Sequence, residues 1–324
     1  ENRKMDSRKI QGYALGFIAA VTYGLNPLFA LPLMADGMDT PSILFFRYLF
    51  AIPIMALMMV ARGKSFKVTW RQAWLLLVFG LLVGLSSVTL FEAYRYMDAG
   101  IASTLLFVYP LMVAIIMSAV FHERLKPVTI FSLATALVGI GLLYKGEGGA
   151  TLSVAGTALV MLSALSYALY IVGINKTELA RVPTLTVTFY VLTFGLLIFV
   201  ANILINGHLS VPAGVGQWSR IGALALLPTA VSFLCTTLAI TYIGSTPTAI
   251  LGAMEPLTAV VIGVTVFHEQ LTVRDVCGLV LIITAVTLVI VGGSIAPHLT
   301  AIRRLFPRRH HPAEIGRASC RERV

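Results

Sequence analysis

An all-α integral membrane fold is what this sequence predicts: ten transmembrane helices arranged as two inverted five-helix repeats. Three observations predict it. Of 324 residues, 58% are hydrophobic and only 12% charged, and the mean hydropathy is +0.89, whereas a soluble domain carries roughly 25% charge and could not hide that much apolar surface. Between about Gly12 and Gly292 the apolar residues form stretches of roughly twenty, the number of helical residues that crosses a hydrocarbon layer of about 30 Å. Finally, one set of residues recurs at a constant offset in the two halves.

The spans fall at 12–31, 41–61, 71–91, 100–119, 128–144, 155–174, 184–205, 218–241, 247–267 and 273–292. Helices are the expected form, because a segment in lipid must satisfy its own backbone hydrogen bonds. The basic start Arg3, Lys4, Arg8 and Lys9 runs into an apolar segment of full spanning length, which reads as a first span and not as a cleaved signal. Junctions are punctuated by Ala30-Leu31-Pro32, Leu125-Lys126-Pro127, Gly146-Glu147-Gly148-Gly149 and Asn206-Gly207-His208. The fifth span is the shortest and the eighth the least clean at its start. Small residues at Gly80-x-x-x-Gly84 and Ala134-x-x-x-Val138-Gly139 permit close helix packing.

Orientation follows from positive charge, since Lys and Arg in short loops stay cytoplasmic. The N-terminus, the even-numbered loops and the C-terminus share one side, and sixteen basic residues lie there, from Arg3 through Arg62, Lys64, Arg124, Lys176 and Arg181 to Arg309. The other side holds at most four: Arg95, Lys145, Arg220 and Arg274. Both termini are therefore expected in the cytoplasm. The chain divides into a cytoplasmic segment 1–11, repeats 12–146 and 155–292, a basic cytoplasmic tail 293–313, and residues 314–324, which resemble the translation of a sequencing-adaptor oligonucleotide. The net charge of +10 marks cytoplasmic helix edges facing anionic lipid, so nucleic acid is not an expected partner. Cys235, Cys277 and Cys320 form no CxxC pair, and His310-His311 sits in a basic tail, so neither metal nor cofactor is expected.

The repeat is carried by Tyr109-Pro110-Leu111 with Val120-Phe121-His122-Glu123 and Leu125, and by Glu255-Pro256-Leu257 with Val266-Phe267-His268-Glu269 and Leu271, at an offset of 146. Tyr96 matches Tyr242 at the same offset, while Gly12-x-Ala14 and Tyr23 match Gly156-x-Ala158 and Tyr167 at 144. Five spans per unit is an odd number. The second unit therefore enters from the opposite face, and two like units in opposite orientations can exchange conformations, opening one central site to either side in turn.

Polar residues in the spans are the candidates for function. Glu255 lies eight positions into the ninth span, where a carboxylate costs several kcal/mol unless paired, hydrated or protonated. It either handles a proton or a substrate ammonium, or bonds backbone opened by Pro256. The first repeat has Tyr109 at that position. Pro110 and Pro256 remove a backbone donor near mid-membrane and predict kinks facing the bundle interior, which are either purely structural or, as expected here together with Pro27, also serve gating. Asn26-Pro27 is a further polar break, and Asn26, Tyr23, Tyr167 and Tyr190 are cavity candidates. Arg47 either snorkels to the head groups or turns inward. Tyr94 and Trp218 lie near helix ends and suit the aromatic belts. Glu92 and Arg95 suit a rim ion pair, and Glu123 and Glu269 suit loop anchors on opposite faces.

No Walker motif, H-E-x-x-H pair or repeated polar ring is present, which disfavours a pump, an enzyme and a channel. A non-transporting sensor or scaffold is the alternative from another class. From Gly12 to Gly292, the five-plus-five spans and the paired patterns ending at Phe121-His122-Glu123-Arg124-Leu125 and Phe267-His268-Glu269-Gln270-Leu271 resemble the EamA-type transporters of the drug/metabolite transporter superfamily. The resemblance implies a bacterial inner-membrane exporter of amino acids, related metabolites or toxic compounds. It also implies a central cavity built from spans one to four and six to nine, with Arg47, Tyr109 and Glu255 near or supporting its core. The expectation is alternating-access export of a small polar or zwitterionic metabolite, with inward proton movement as the driving step; an uncoupled uniporter or exchanger is the alternative. The expected partners are that small-molecule substrate, protons and membrane lipids. The sequence leaves the oligomeric state open, a monomer included, because lipid-facing and protein-facing apolar surfaces have the same composition.

Overall fold

A computed structural model describes residues 2–122, 127–143, 153–243, 248 and 251–288, and every described element is helical. In chain order these are α1 (Asn2–Gly24), α2 (Asn26–Ala35), α3 (Thr40–Ala61), α4 (Trp70–Ala93), α5 (Ala99–Leu106), α6 (Tyr109–Phe121), α7 (Pro127–Leu143), α8 (Val154–Lys176), α9 (Thr184–Asn206), α10 (Val215–Ala225), α11 (Ser232–Ile243), α12 (Met254–Val266) and α13 (273–288). A short 3₁₀ turn, Glu178–Arg181, precedes α9, and a π-helical turn, Leu226–Val231, joins α10 to α11.

Among the described residues, seven stretches are long and apolar enough to cross a membrane: Arg8–Ala35, Thr40–Ala61, Trp70–Ala93, Ala99–Phe121, Val154–Lys176, Thr184–Asn206 and Val215–Ile243. They coincide with spans one to four and six to eight expected from the sequence. The fifth and ninth are represented by shorter apolar helices, Pro127–Leu142 and Met254–Val266, and the tenth by α13. The tail 293–313 and residues 314–324 lie outside the described residues.

Helix starts are set by local chemistry. Asp39 caps α3 by accepting from Ser42 N at 3.1 Å, ahead of a proline in the first turn. Thr69 and Gln72 form a reciprocal capping box on α4. Outside the span, the Asp39 carboxylate also accepts from the Ser210 hydroxyl, and Ser210 N donates to Ser42 Oγ at 2.9 Å, tying the segment after α9 to the start of α3. Burial works against the charge on Asp39, but the hydrogen bonds from Ser210 and Ser42 hold its carboxyl below the usual carboxylate range.

Small residues let the backbones meet. A Cβ on Gly80 would stand 3.0 Å from Gly195 N, and one on Gly84 would stand 2.9 Å from Gly195 O, so α4 and α9 touch main chain to main chain. Gly139 of α7 meets Gly278 O of α13 in the same way, at 2.9 Å. Ser86 and Ser163 join α4 to α8 through a 2.9 Å hydroxyl contact and a 2.7 Å bond from Ser163 Oγ to Ser86 O. Phe91, Phe199, Leu33, Ile43 and Leu44 fill the interior. Large apolar side chains such as Leu57, Leu137, Ile205 and Val273 point outward instead. That is costly in water and neutral in hydrocarbon.

Candidate functional site

Four interruptions in the long helices surround one region. α1 breaks at Leu25 ahead of Pro27, α5 gives way to α6 at Phe107-Val108 ahead of Pro110, and a turn at Gly252-Ala253 precedes α12 and Pro256. The fourth is the π turn, which contains Pro228. Pro27, Pro110 and Pro256 each sit in the first turn of a second half-helix, with the interruptions before Pro27 and Pro110 falling inside the spanning stretches Arg8–Ala35 and Ala99–Phe121. A first-turn residue has no intrahelical acceptor for its N–H, so a proline there loses nothing, and the break falls before it.

The carbonyls that these prolines leave unpaired find substitutes. Tyr23 O, four residues before Pro27, accepts from Asn26 Nδ2 at 2.8 Å. Gly252 O, four before Pro256, accepts from Glu255 N at 3.0 Å. Leu224 O, four before Pro228, accepts from Thr229 Oγ1 at 3.1 Å. Thr229 Oγ1 in turn accepts from Arg47 Nε at 3.1 Å. The Arg47 guanidinium carbon lies 5.6 Å from the centroid of the Phe91 ring, and the residue is 6% exposed. Arg47 therefore does not snorkel; it faces inward and holds the π turn in place.

At the centre of these breaks is a cavity of about 370 Å³, within the usual range for a ligand site. Tyr23 of α1, Phe107 and Tyr109 at the α5–α6 junction, Tyr167 of α8, and Glu255 at the start of α12 line it. Ser232, Phe233, Thr236 and Ile240 of α11 complete one wall, and Thr248 lies beside Gly252. The Tyr109 and Tyr167 rings pack edge to face with centroids 4.9 Å apart, and Tyr170 lies 5.5 Å beyond Tyr167. Glu255 is the one charged side chain of the lining, and no ion pair or side-chain hydrogen bond reaches its carboxylate among the described residues.

Of the residues singled out in the sequence, the structure brings Tyr23, Tyr109, Tyr167 and Glu255 together. Asn26 is buried at 4% exposure at the α1–α2 break, with Oδ1 unpaired, and is not among the lining residues. Tyr190 lies elsewhere: its hydroxyl donates to Phe66 O at 2.6 Å, tying the loop before α4 to α9. Tyr94, expected at the membrane boundary, is buried against Phe91, while Trp218 is partly exposed and packs edge to face on Phe46 and tilted against Phe50. Glu92 and Arg95 form the rim pair at 3.5 Å. Glu123 lies outside the described residues.

Glu269 does more than fix its own loop. Oε1 accepts from Ala99 N at 2.9 Å and the carboxylate also accepts from Gly100 N, so Glu269 caps α5 in the other half of the chain. Burial pushes this carboxyl up, with Asp98 adding to the shift, while the two amides oppose it. The walls contributed by Phe107, Phe233, Thr236 and Thr248 carried no sequence signal, because an apolar or hydroxyl side chain in a span looks the same facing lipid or a cavity. Pro228, a proline inside the eighth span, was the one available pointer to the π turn.

The sequence model of the EamA-like transporter family matches residues 10–145 and 154–291. An uncharacterized transporter of Archaeoglobus fulgidus is 27% identical over 276 residues, covering 85% of this chain and 94% of that one. The uncharacterized transporter YvbV of Bacillus subtilis is 26% identical over 260 residues, covering 77% and 83%. A crystal structure of a protein 18% identical shares the fold with a TM-score of 0.62, over 89% of this chain and 98% of that one. With both halves matched and seven spanning stretches in place, the chain is a multi-pass membrane protein of the EamA-like transporter family, within the drug/metabolite transporter superfamily.

Proposed function

We propose that this chain is a secondary transporter that moves a small polar or zwitterionic metabolite by alternating access, through ten spans built as two inverted five-helix repeats. The observation that carries this is the meeting of two repeat-related pairs at one cavity: Tyr23 with Tyr167, 144 apart, and Tyr109 with Glu255, 146 apart. Supporting contacts recur at the same spacing. Gly12 packs against Tyr242, and Gly156 packs against Tyr96. Swapping the halves turns one contact into the other, as a pseudo-twofold axis requires. His122 and His268, 146 apart, are the described non-glycine residues with positive φ, at 55° and 56°, and each follows a thirteen-residue half-helix.

In this reading both termini are cytoplasmic, the membrane is the bacterial inner one, the direction is export, and Glu255 exchanges a proton as the cavity changes sides. Lipid and a small-molecule substrate are the partners, and a monomer suffices. Reporter tags placed within 146–152 and after residue 292 should lie on opposite sides of the membrane; tags on one side would refute the inverted arrangement. A growth screen of an overexpressing strain against amino acids and their toxic analogues would supply a test compound. Its counterflow and its gradient-driven flux in proteoliposomes should then part company in Glu255→Gln, with counterflow retained and response to an imposed pH gradient lost. Unchanged gradient-driven flux would remove Glu255 as the coupling group and favour an uncoupled exchanger.

A further inference from the structure

We infer that the cavity selects small organic cations, arylalkylammonium and alkylammonium compounds among them, over zwitterions and anions; this rests on the reading of the chain as a transporter that uses this cavity, and narrows the substrate of that reading to its cationic members. Three observations converge. Glu255 is the one charged lining side chain, and nothing among the described residues pairs with it. Five of the walls are aromatic: Tyr23, Phe107, Tyr109, Tyr167 and Phe233. The guanidinium that could have met a substrate carboxylate, Arg47, is outside the lining and is engaged by Thr229 and the Phe91 ring.

A cation brought into this cavity leaves its hydration shell and needs both a counter-charge and soft donors of electron density in exchange. A carboxylate among aromatic rings offers both. A zwitterion brings the same ammonium group together with a carboxylate, which would meet only hydroxyls such as Thr236 and Thr248, and would repel Glu255. An anion has no partner there. The aromatic walls also favour an apolar body attached to the charge, since ring faces bind such a body without stripping water from fixed polar groups.

The test is equilibrium binding to the full-length protein in lipid nanodiscs at constant ionic strength and neutral pH, with three probes of one shape: phenethylamine as the cation, phenylalanine as the zwitterion and 3-phenylpropionate as the anion. Phenethylamine should bind at least about tenfold more tightly than phenylalanine, with 3-phenylpropionate weakest. Tetraethylammonium should compete with phenethylamine. Glu255→Gln should lower affinity for the cation by about tenfold or more, whereas Tyr109→Phe, which keeps the ring, should leave it nearly unchanged and Tyr109→Leu should lower it. Unfolding without ligand shows whether each variant is folded, and the probe ranking in the parent protein decides even if a variant is not. Phenylalanine or 3-phenylpropionate binding as tightly as phenethylamine, or no phenethylamine binding at millimolar concentration, would overturn the inference. Cation binding in the expected order without flux into proteoliposomes would refute the transport reading and leave the selectivity standing. Flux of phenylalanine without flux of phenethylamine would do the reverse.

Discussion

Gly263→Ala should change sign with its surroundings. Gly263 lies inside α12, where replacing glycine by alanine ordinarily stabilises a helix by about 1 kcal/mol. Here a Cβ would overlap the Glu269 carboxylate, standing 2.6 Å from its Cδ. The methyl cannot be accommodated unless Glu269 swings away, and Glu269 is what caps α5 through Ala99 N and Gly100 N. Losing a charge-assisted cap costs about 1.5 kcal/mol. The two effects nearly cancel in the parent, leaving a net loss of about 0.5 kcal/mol. Once Glu269→Ala has already removed the cap, the same substitution should stabilise by about 1 kcal/mol, so the coupling between the positions is about 1.5 kcal/mol. Unfolding monitored by tryptophan fluorescence in detergent micelles, run on the parent, both single variants and the double variant, measures it. Additive effects within about 0.4 kcal/mol would show that Gly263 is not kept small to seat Glu269.

Other consequences follow from the same contacts. Thr229→Val removes the acceptor of Arg47 Nε and the donor to Leu224 O together and should cost about 2–4 kcal/mol, whereas Thr229→Ser should be nearly silent; equal losses in the same unfolding assay would remove the hydroxyl from the account. Gly195→Leu should cost several kcal/mol or abolish folded material, because Gly80 O stands 2.9 Å from where its Cβ would be, and size-exclusion profiles of the purified variant would report it. Asp39 is held below its ordinary range, so the stability it contributes is complete above that range and is lost as pH falls through the lowered value. Asp39→Asn should flatten the acid limb of the stability profile, and an unchanged acid limb would show that the Ser210 and Ser42 bonds do not hold the charge.

The features of the site that were legible in the sequence are those that contradict their surroundings. Glu255 and Asn26-Pro27 stand out because lipid penalises them, and Tyr23, Tyr109 and Tyr167 stand out because they, or their partners at a fixed offset, repeat. Tyr190 met the same criterion of a polar ring in a span, yet it serves a loop through Phe66 O, since a tyrosine's hydroxyl can be satisfied at many depths. Arg47 carried two opposite readings because its stem is long enough to reach either lipid head groups or the interior, and only the position of Thr229 decides between them.

Composition and spacing by themselves determined that the chain crosses a membrane as helices and that its halves are alike, because hydrocarbon thickness and backbone hydrogen bonding leave no other economical form. Which of the many apolar faces meet each other was decided only in three dimensions. In lipid a face toward a neighbour and a face toward acyl chains are built from the same residues, so the cavity, the Arg47–Thr229 prop and the Glu269 cap on α5 exist only once the helices have chosen their partners.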